Sequence, residues 1–252
     1  MKVSIEHRNN SYKVDFNKPM DISIPIHQGN HNPNCYYADP VKFETIRMGN
    51  FIGSVREGGS VNYQKISLTP HGNGTHTECS SHIYDNEQQT INNTLKNFHF
   101  FCDLITVTPQ KNNSGDWVIM RENLLDSLPD KLNEALILRT LPNTEEKLTK
   151  KYTGTNPPYI DSTVTDFLLN NGVRHLLIDL PSVDKEVDGG KLSGHKSFWN
   201  KNRNESNLNT ITELIYVQNN IPDGLYLLNL QIISLETDAS PSKPILYSLE
   251  EY

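Results

Sequence analysis

Residues 70–82 read Pro-His-Gly-Asn-Gly-Thr-His-Thr-Glu-Cys-Ser-Ser-His, and no other segment constrains the chain as strongly. A stretch this dense in imidazole and carboxylate either lies solvated on a loop or converges on something that needs those groups. Residues 61–68 alternate polar and apolar side chains and lead into Pro70, so the run is expected on a loop at a strand end. In extended backbone His76, Glu78 and His82 share one side, because their separations are even. His71 is out of phase. Gly72 and Gly74 can take φ > 0, so a curl of the chain is expected to return the His71 ring toward His76 and Glu78. Imidazole with carboxylate is the ligand set of a catalytic Zn²⁺, Mn²⁺ or Fe²⁺ site. With no cysteine pairs nearby, it suits an open, reactive site better than a closed structural one. The isolated His7, His27, His31, His99 and His175 read as structural or solvated. Cys79 faces away from Glu78 in an extended segment and is read as packing beneath the site.

The rest of the chain supplies a scaffold of mostly strands with two or three helices. Strands are expected at 2–7 and 12–16 as a hairpin, then at 20–26, 61–68, 104–108, 135–140, 175–180, 210–217 and 225–234. Helical spacing appears at 122–132, interrupted by Pro129, and at 161–170, with Ser162 as the N-cap and Gly172 just past the end. Glu57-Gly58-Gly59-Ser60 reads as a tight turn, and 141–158 as a long surface loop. The strand–helix–strand order around 135–180 points to an α+β or mixed α/β fold: one domain over 1–252 with a mixed sheet flanked by a few helices.

The 252 residues are 35% hydrophobic and 21% charged, an ordinary globular balance. A net charge of −7 with scattered Lys and Arg excludes the basic stripe of a nucleic-acid binder. The apolar-leaning run 225–233 contains Asn229 and Gln231 and falls well short of the ~20 residues of a membrane helix. Cys35, Cys79 and Cys102 form no disulfide framework. With Glu6 and His7 near a start that lacks a signal peptide's apolar stretch, a cytoplasmic location is expected. No Gly-x-Ser-x-Gly elbow or P-loop is present.

The central run resembles the signature of the cyclase family of metal-dependent hydrolases, His-x-Gly-Thr-His-x-Asp-x-Pro-x-His, here with Gly74-Thr75-His76-Thr77-Glu78 and then His82. Asp21-Ile22-Ser23 is similar to that family's opening strand, and Asp179-Leu180-Pro181-Ser182-Val183-Asp184 to its Asp-x-x-Ser-x-Asp loop. His195 with Lys196-Ser197-Phe198-Trp199 resembles the distal His region. Glu213-Leu214 resembles the later Glu-x-Leu strand, with the two residues adjacent here. The matches run from about residue 20 to 230. Three positions depart from the pattern. His71 to His76 is one residue longer than usual, and Gly72, in the unshifted position, has no side chain, which favours His71. Glu78 stands for Asp, and Cys79-Ser80 for Ala-Pro.

The resemblance implies a swivelling β/β/α-like fold and a divalent metal, Zn or Mn, as one or two ions. Its ligands would be His71, His76, Glu78, His195 and Glu213, with His82 as general acid/base. It implies hydrolysis of a small amide, N-formyl or cyclic, by a homo-oligomer whose neighbouring chains help close the pocket. Tyr36 and Tyr37 would cover an aromatic ring or pack at a subunit interface, and Asp179 would orient a ligand or its loop. The rival classes are a metal-dependent cyclase or lyase acting on a small carbonyl compound and a metal-binding protein without turnover.

Overall fold

The computed structural model describes residues 1–200 and 208–252. Its centre is the strand Ala135–Thr140, in which every residue is buried. Successive side chains point to opposite faces. Leu136 and Leu138 join one apolar cluster with Ile105, Leu176 and Ile178, whereas Ala135 and Ile137 join a second with Cys102, Leu104 and Leu177. A strand covered on both faces reads as an unbroken apolar run, as this one does.

Around it the strands follow the spatial order Gly224–Ile232, His99–Val107, Ala135–Thr140, His175–Ile178, Thr210–Glu213, His76–Glu78, Ala239–Ser248 and Met20–Asp21. The four from His99–Val107 to Thr210–Glu213 run parallel. The remaining pairings are antiparallel. Gly224–Ile232 also pairs with Ala239–Ser248, which closes the sheet into a barrel and leaves Met20–Asp21 on its flank. The second cluster, with Ile22, Cys79, Leu228 and Leu246, fills the barrel. The first lies under the helices Ser162–Asn170 and Ser193–Phe198, through Val164, Leu168 and Phe198.

The mixed sheet and few helices agree with the expected class. The closure was not foreseen, since pairing between strands distant in sequence leaves no local pattern. The hairpin Lys2–His7 with Asn10–Asp15 forms as expected, turning at Arg8 and Asn9, both at positive φ. Several expected elements are shorter. The strand at 20–26 is only Met20–Asp21, that at 61–68 is Gln64–Ser67, that at 175–180 is His175–Ile178, and that at 225–234 is Gly224–Ile232. Conversely, 104–108 is the end of the longer His99–Val107. The helix at 122–132 is one turn, Glu122–Leu125; Leu124 reaches the core from it and Leu128 and Leu132 from the irregular chain beyond, while Leu125 is exposed. Asp161, not Ser162, caps the second helix, accepting the Thr163 N–H at 2.9 Å. Gly172 follows it at φ 87°. The stretch 141–158 is no simple surface loop: Asn143, Lys147 and Tyr152 are buried in it, and Lys147 Nζ donates to Asp179 Oδ2 at 2.7 Å. Gly58 turns at φ 89°, as the Gly58-Gly59 pair suggests. Among the described residues no helix is long and apolar enough to cross a membrane.

Candidate metal centre

Three parts of the run at 70–82 take three conformations. Pro70–Asn73 is one helical turn, His76–Glu78 is a strand, and Ser80–His82 is a 3₁₀ turn. His76 and Glu78 therefore share a face by strand alternation, as expected, but His82 reaches it through a turn rather than by extension. The glycines also act differently from expectation. Gly74 is extended (φ 171°) and Gly72 is helical, so neither uses positive φ. They allow close approach instead: a Cβ on Gly72 would lie 2.3 Å from Ala38 Cβ, and one on Gly74 would lie 3.0 Å from Ile26 Cγ1. The helical turn started by Pro70, rather than a left-handed curl, brings His71 back.

The strand His76–Glu78 lies between Thr210–Glu213 and Ala239–Ser248. Register sets Glu213 opposite His76 and Ala239 opposite Glu78. Thr77 points to the other face, where its hydroxyl pairs with that of Thr212 at 2.8 Å. Thr75 ties the strand ends together. Its hydroxyl donates to the Leu214 carbonyl (2.5 Å) and accepts the Ile24 N–H (2.8 Å). Leu214 itself sits at φ 55°, which ends the strand immediately after Glu213 and explains why the expected strand 210–217 stops there.

All five expected ligands and His82 converge. His71 Nδ1 is 3.1 Å from Glu78 Oε2, and His195 Nε2 is 3.0 Å from Glu78 Oε1. His76 Nε2 is 3.5 Å from Glu213 Oε2, and His195 Nε2 is 3.9 Å from Glu213 Oε1. His82 Nε2 is 3.7 Å from Glu78 Oε2, its ring stacked on His71 with centroids 4.2 Å apart. His71, His76 and Glu78 each bring a ligand atom within 4.8 Å of the others, as do Glu78, His82 and His195.

The donor set fits a divalent cation. His76 Nε2 and Glu78 Oε2 are buried without a hydrogen bond. The nearest ring nitrogen to Glu78 Oε2 in the run is His71 Nδ1, 3.1 Å away. Lone pairs directed at a common point are what a cation takes up. Without such a partner each buried polar atom costs ~1–3 kcal/mol. Glu78 is fully buried and Glu213 nearly so, a placement carboxylates rarely take unless paired or metal-bound.

Electrostatics agree. Burial alone would lower the His71 and His195 pKa values. For His71 it is outweighed by the carboxylates of Asp238 and Glu78, and for His195 by those of Asp184 and Glu78, so that each stands at about 10. Burial would raise Glu78, but the surrounding imidazoles hold it well below the ordinary carboxylate range. The centre thus carries surplus negative charge, which protons or a cation neutralise.

Two carboxylates outside the expected ligand set stand behind the histidines. Asp184 Oδ2 accepts His195 Nδ1 at 2.6 Å, while its Oδ1 accepts the Gly194 N–H at 2.6 Å, the arrangement that orients a metal-ligating imidazole. It belongs to the Asp-x-x-Ser-x-Asp stretch noted in the sequence, but its partner was not legible there. Asp238 Oδ2 lies 3.0 Å from His71 Nε2 and 2.9 Å from His82 Nδ1. Only the register of Ala239 against Glu78 brings it there, and Asp238 carries no sequence signal. Asp179, expected to orient a ligand or its loop, instead accepts from Thr140 and Lys147, which ties the end of Ala135–Thr140 to the segment that follows it. Cys79 is fully buried in the barrel, away from the centre, as expected. Tyr36 and Tyr37 are both left-handed (φ 54° and 56°). The Tyr36 hydroxyl reaches the Pro181 carbonyl at 3.4 Å at the edge of the site, while Tyr37 is 86% exposed.

The chain is 23% identical to a kynurenine formamidase of Bacillus cereus over 90% of this chain and 96% of that one. Its fold is similar to that of isatin hydrolase A from Labrenzia aggregata (TM-score 0.64, 12% identity, 92% and 94% of the two chains covered). It is also similar to a structure described as a potential metal-dependent hydrolase with cyclase activity (TM-score 0.62, 17% identity, 92% and 98% covered). Residues 20–185, more than half of the chain, match the family described as "Putative cyclase", and the chain belongs to this Cyclase family.

Proposed function

We propose that this protein is a metal-dependent hydrolase of a small amide, arylformamidase-like, acting on an N-formyl aryl amine or a cyclic amide. The observation that carries the reading is the meeting of His71, His76, Glu78, His195 and Glu213 around buried lone pairs that have no hydrogen-bond partner. The similarity to a kynurenine formamidase supports the substrate class.

A zinc or manganese ion held by these five residues would lower the pKa of a water and polarise the scissile carbonyl. Glu78, through its two oxygens, links the His71 side of the site to the His195 side. Asp184 holds His195 in one ring orientation. His82, partly exposed beside Glu78, would take a proton from the attacking water and deliver it to the leaving nitrogen. Tyr36 lines the rim, where its ring can lie against an aromatic substrate.

The test is metal analysis of the purified protein, then assays with zinc or manganese against N-formyl aryl amines, cyclic amides and lactones. Hydrolysis adds one water to the product mass, which separates it from lyase or cyclase chemistry. His82→Ala is expected to keep the metal and lose turnover. A protein with which no divalent metal copurifies, and whose activity none restores, would end the reading.

A further inference from the structure

We propose that Asp238 is a positioning residue that fixes the tautomers of two histidines at once, directing His71 Nδ1 to the cation and His82 Nε2 to the proton in transit. The second half rests on the hydrolase reading above; the first does not. Asp238 immediately precedes the strand Ala239–Ser248 and is anchored by its backbone, since its carbonyl accepts the Cys79 N–H at 3.0 Å. One oxygen, Oδ2, lies 3.0 Å from His71 Nε2 and 2.9 Å from His82 Nδ1.

An ionised carboxylate has no proton to give, so both ring nitrogens that touch it must be the N–H donors. A neutral imidazole that donates at one nitrogen presents a lone pair at the other. For His71 that lone pair is on Nδ1, 3.1 Å from Glu78 Oε2, and for His82 it is on Nε2, 3.7 Å from the same oxygen. The stacked rings, 29° from parallel, keep the two lone pairs side by side. Glu78 Oε2 is one of the buried atoms without a hydrogen bond. A single carboxylate oxygen on the outer side therefore aims a ligand and a base at the same inner point. Asp238 has a side-chain exposure of 39%, so replacing it opens no cavity in the core.

The rival arrangement is that Asp238, His71 and His82 themselves hold a cation, as their ligand atoms also lie within 4.8 Å of one another. In that case the ring nitrogens facing Asp238 would carry lone pairs rather than protons.

The experiment compares wild type, Asp238→Asn and Asp238→Glu in three ways. Metal content and zinc affinity are measured first. Two-bond ¹H–¹⁵N spectra of histidine-labelled protein, zinc-loaded, then report each tautomer. Finally kcat and KM are measured with the best substrate found. Wild type should show His82 protonated on Nδ1 and His71 on Nε2. Asp238→Asn should fold, keep its metal stoichiometry and show mixed tautomers. Its zinc affinity and kcat should each fall about 10- to 100-fold with KM little changed. Asp238→Glu should recover part of the loss, and adding His82→Ala to Asp238→Asn should cost far less than His82→Ala alone in wild type. Wild-type His82 protonated on Nε2, spectra unchanged in Asp238→Asn, or the loss of a whole metal equivalent in that variant would each overturn the proposal. If wild type hydrolyses nothing offered, the spectra and the zinc affinity still decide the tautomer assignment. If it hydrolyses normally after Asp238→Asn, the positioning role fails while the hydrolase reading stands.

Discussion

His76 and Glu213 face each other across adjacent antiparallel strands, with His76 Nε2 3.5 Å from Glu213 Oε2. The distance is too long for a hydrogen bond and short enough for both atoms to bind one ion. His76 Nδ1 is already committed to the Gly74 carbonyl at 3.0 Å, which leaves Nε2 as the free ligand atom. Glu213→Gln keeps the size of the side chain and removes its charge. It is expected to lower metal affinity by at least about 10-fold while the secondary structure stays intact. Isothermal titration with zinc checks this, and unchanged affinity would remove Glu213 from the ligand set.

Charge gives a second expectation. In metal-free protein His71 and His195 hold protons up to about pH 10, against an ordinary histidine value of 6.5. A group whose folded pKa is raised stabilises the fold below its unfolded value, and that contribution is lost as pH climbs through the folded value. Metal-free protein should therefore lose stability between about pH 6.5 and pH 10. Glu78 has the opposite sign: its contribution is present above about 4.5 and is lost as pH falls. Zinc must displace the imidazole protons, so its stabilisation should grow with pH over the upper window, with protons released on binding. Melting curves across pH, with and without zinc, measure both trends. Metal-free protein that gains stability toward pH 9 would contradict the assignment.

The glycines of the run give a third. Gly72→Ala drives a Cβ to 2.3 Å from Ala38 Cβ and should cost about 1–3 kcal/mol. Gly74→Ala meets only the Ile26 side chain at 3.0 Å and has no backbone bar at φ 171°, so it should cost clearly less. Denaturant titration of the two variants gives the ranking, and the reverse order would mean that backbone conformation, not close approach, selects glycine here.

Asp184→Asn isolates the support behind His195. Asn can still accept from the Gly194 N–H but brings no charge to His195 Nδ1, 2.6 Å away. Metal affinity or turnover should fall about 10- to 100-fold, with the melting temperature of metal-free protein changed far less than the activity. Competition against a chromogenic chelator supplies the affinity.

What the sequence disclosed and what it hid divide along physical lines. His71, His76, Glu78 and His82 are close in the chain, and their spacing showed that they belong together. His195 and Glu213 followed from a resemblance, since no local rule connects position 78 to position 195. Asp238 escaped because its approach depends on strand register, which alternation within one strand does not specify. The strand Ala135–Thr140 was legible because burial on both faces leaves a solid apolar run. The helix expected over 122–132 was not, because Pro129 and the turns before it supply leucines at helical spacing without the helix. The same limit applies to Gly72: a glycine chosen for contact looks, in sequence, like one chosen for a turn.

The barrel closes where Gly224–Ile232 meets Ala239–Ser248. A ring of strands has no outermost member that can peel away, so opening at any point must part backbone pairs on two sides at once. Because His76–Glu78 is held between two neighbours in that ring, its amides should be among the slowest in the molecule to exchange with heavy water. A reactant is then expected to enter on the side where His71 and His82 are partly exposed rather than by parting the wall.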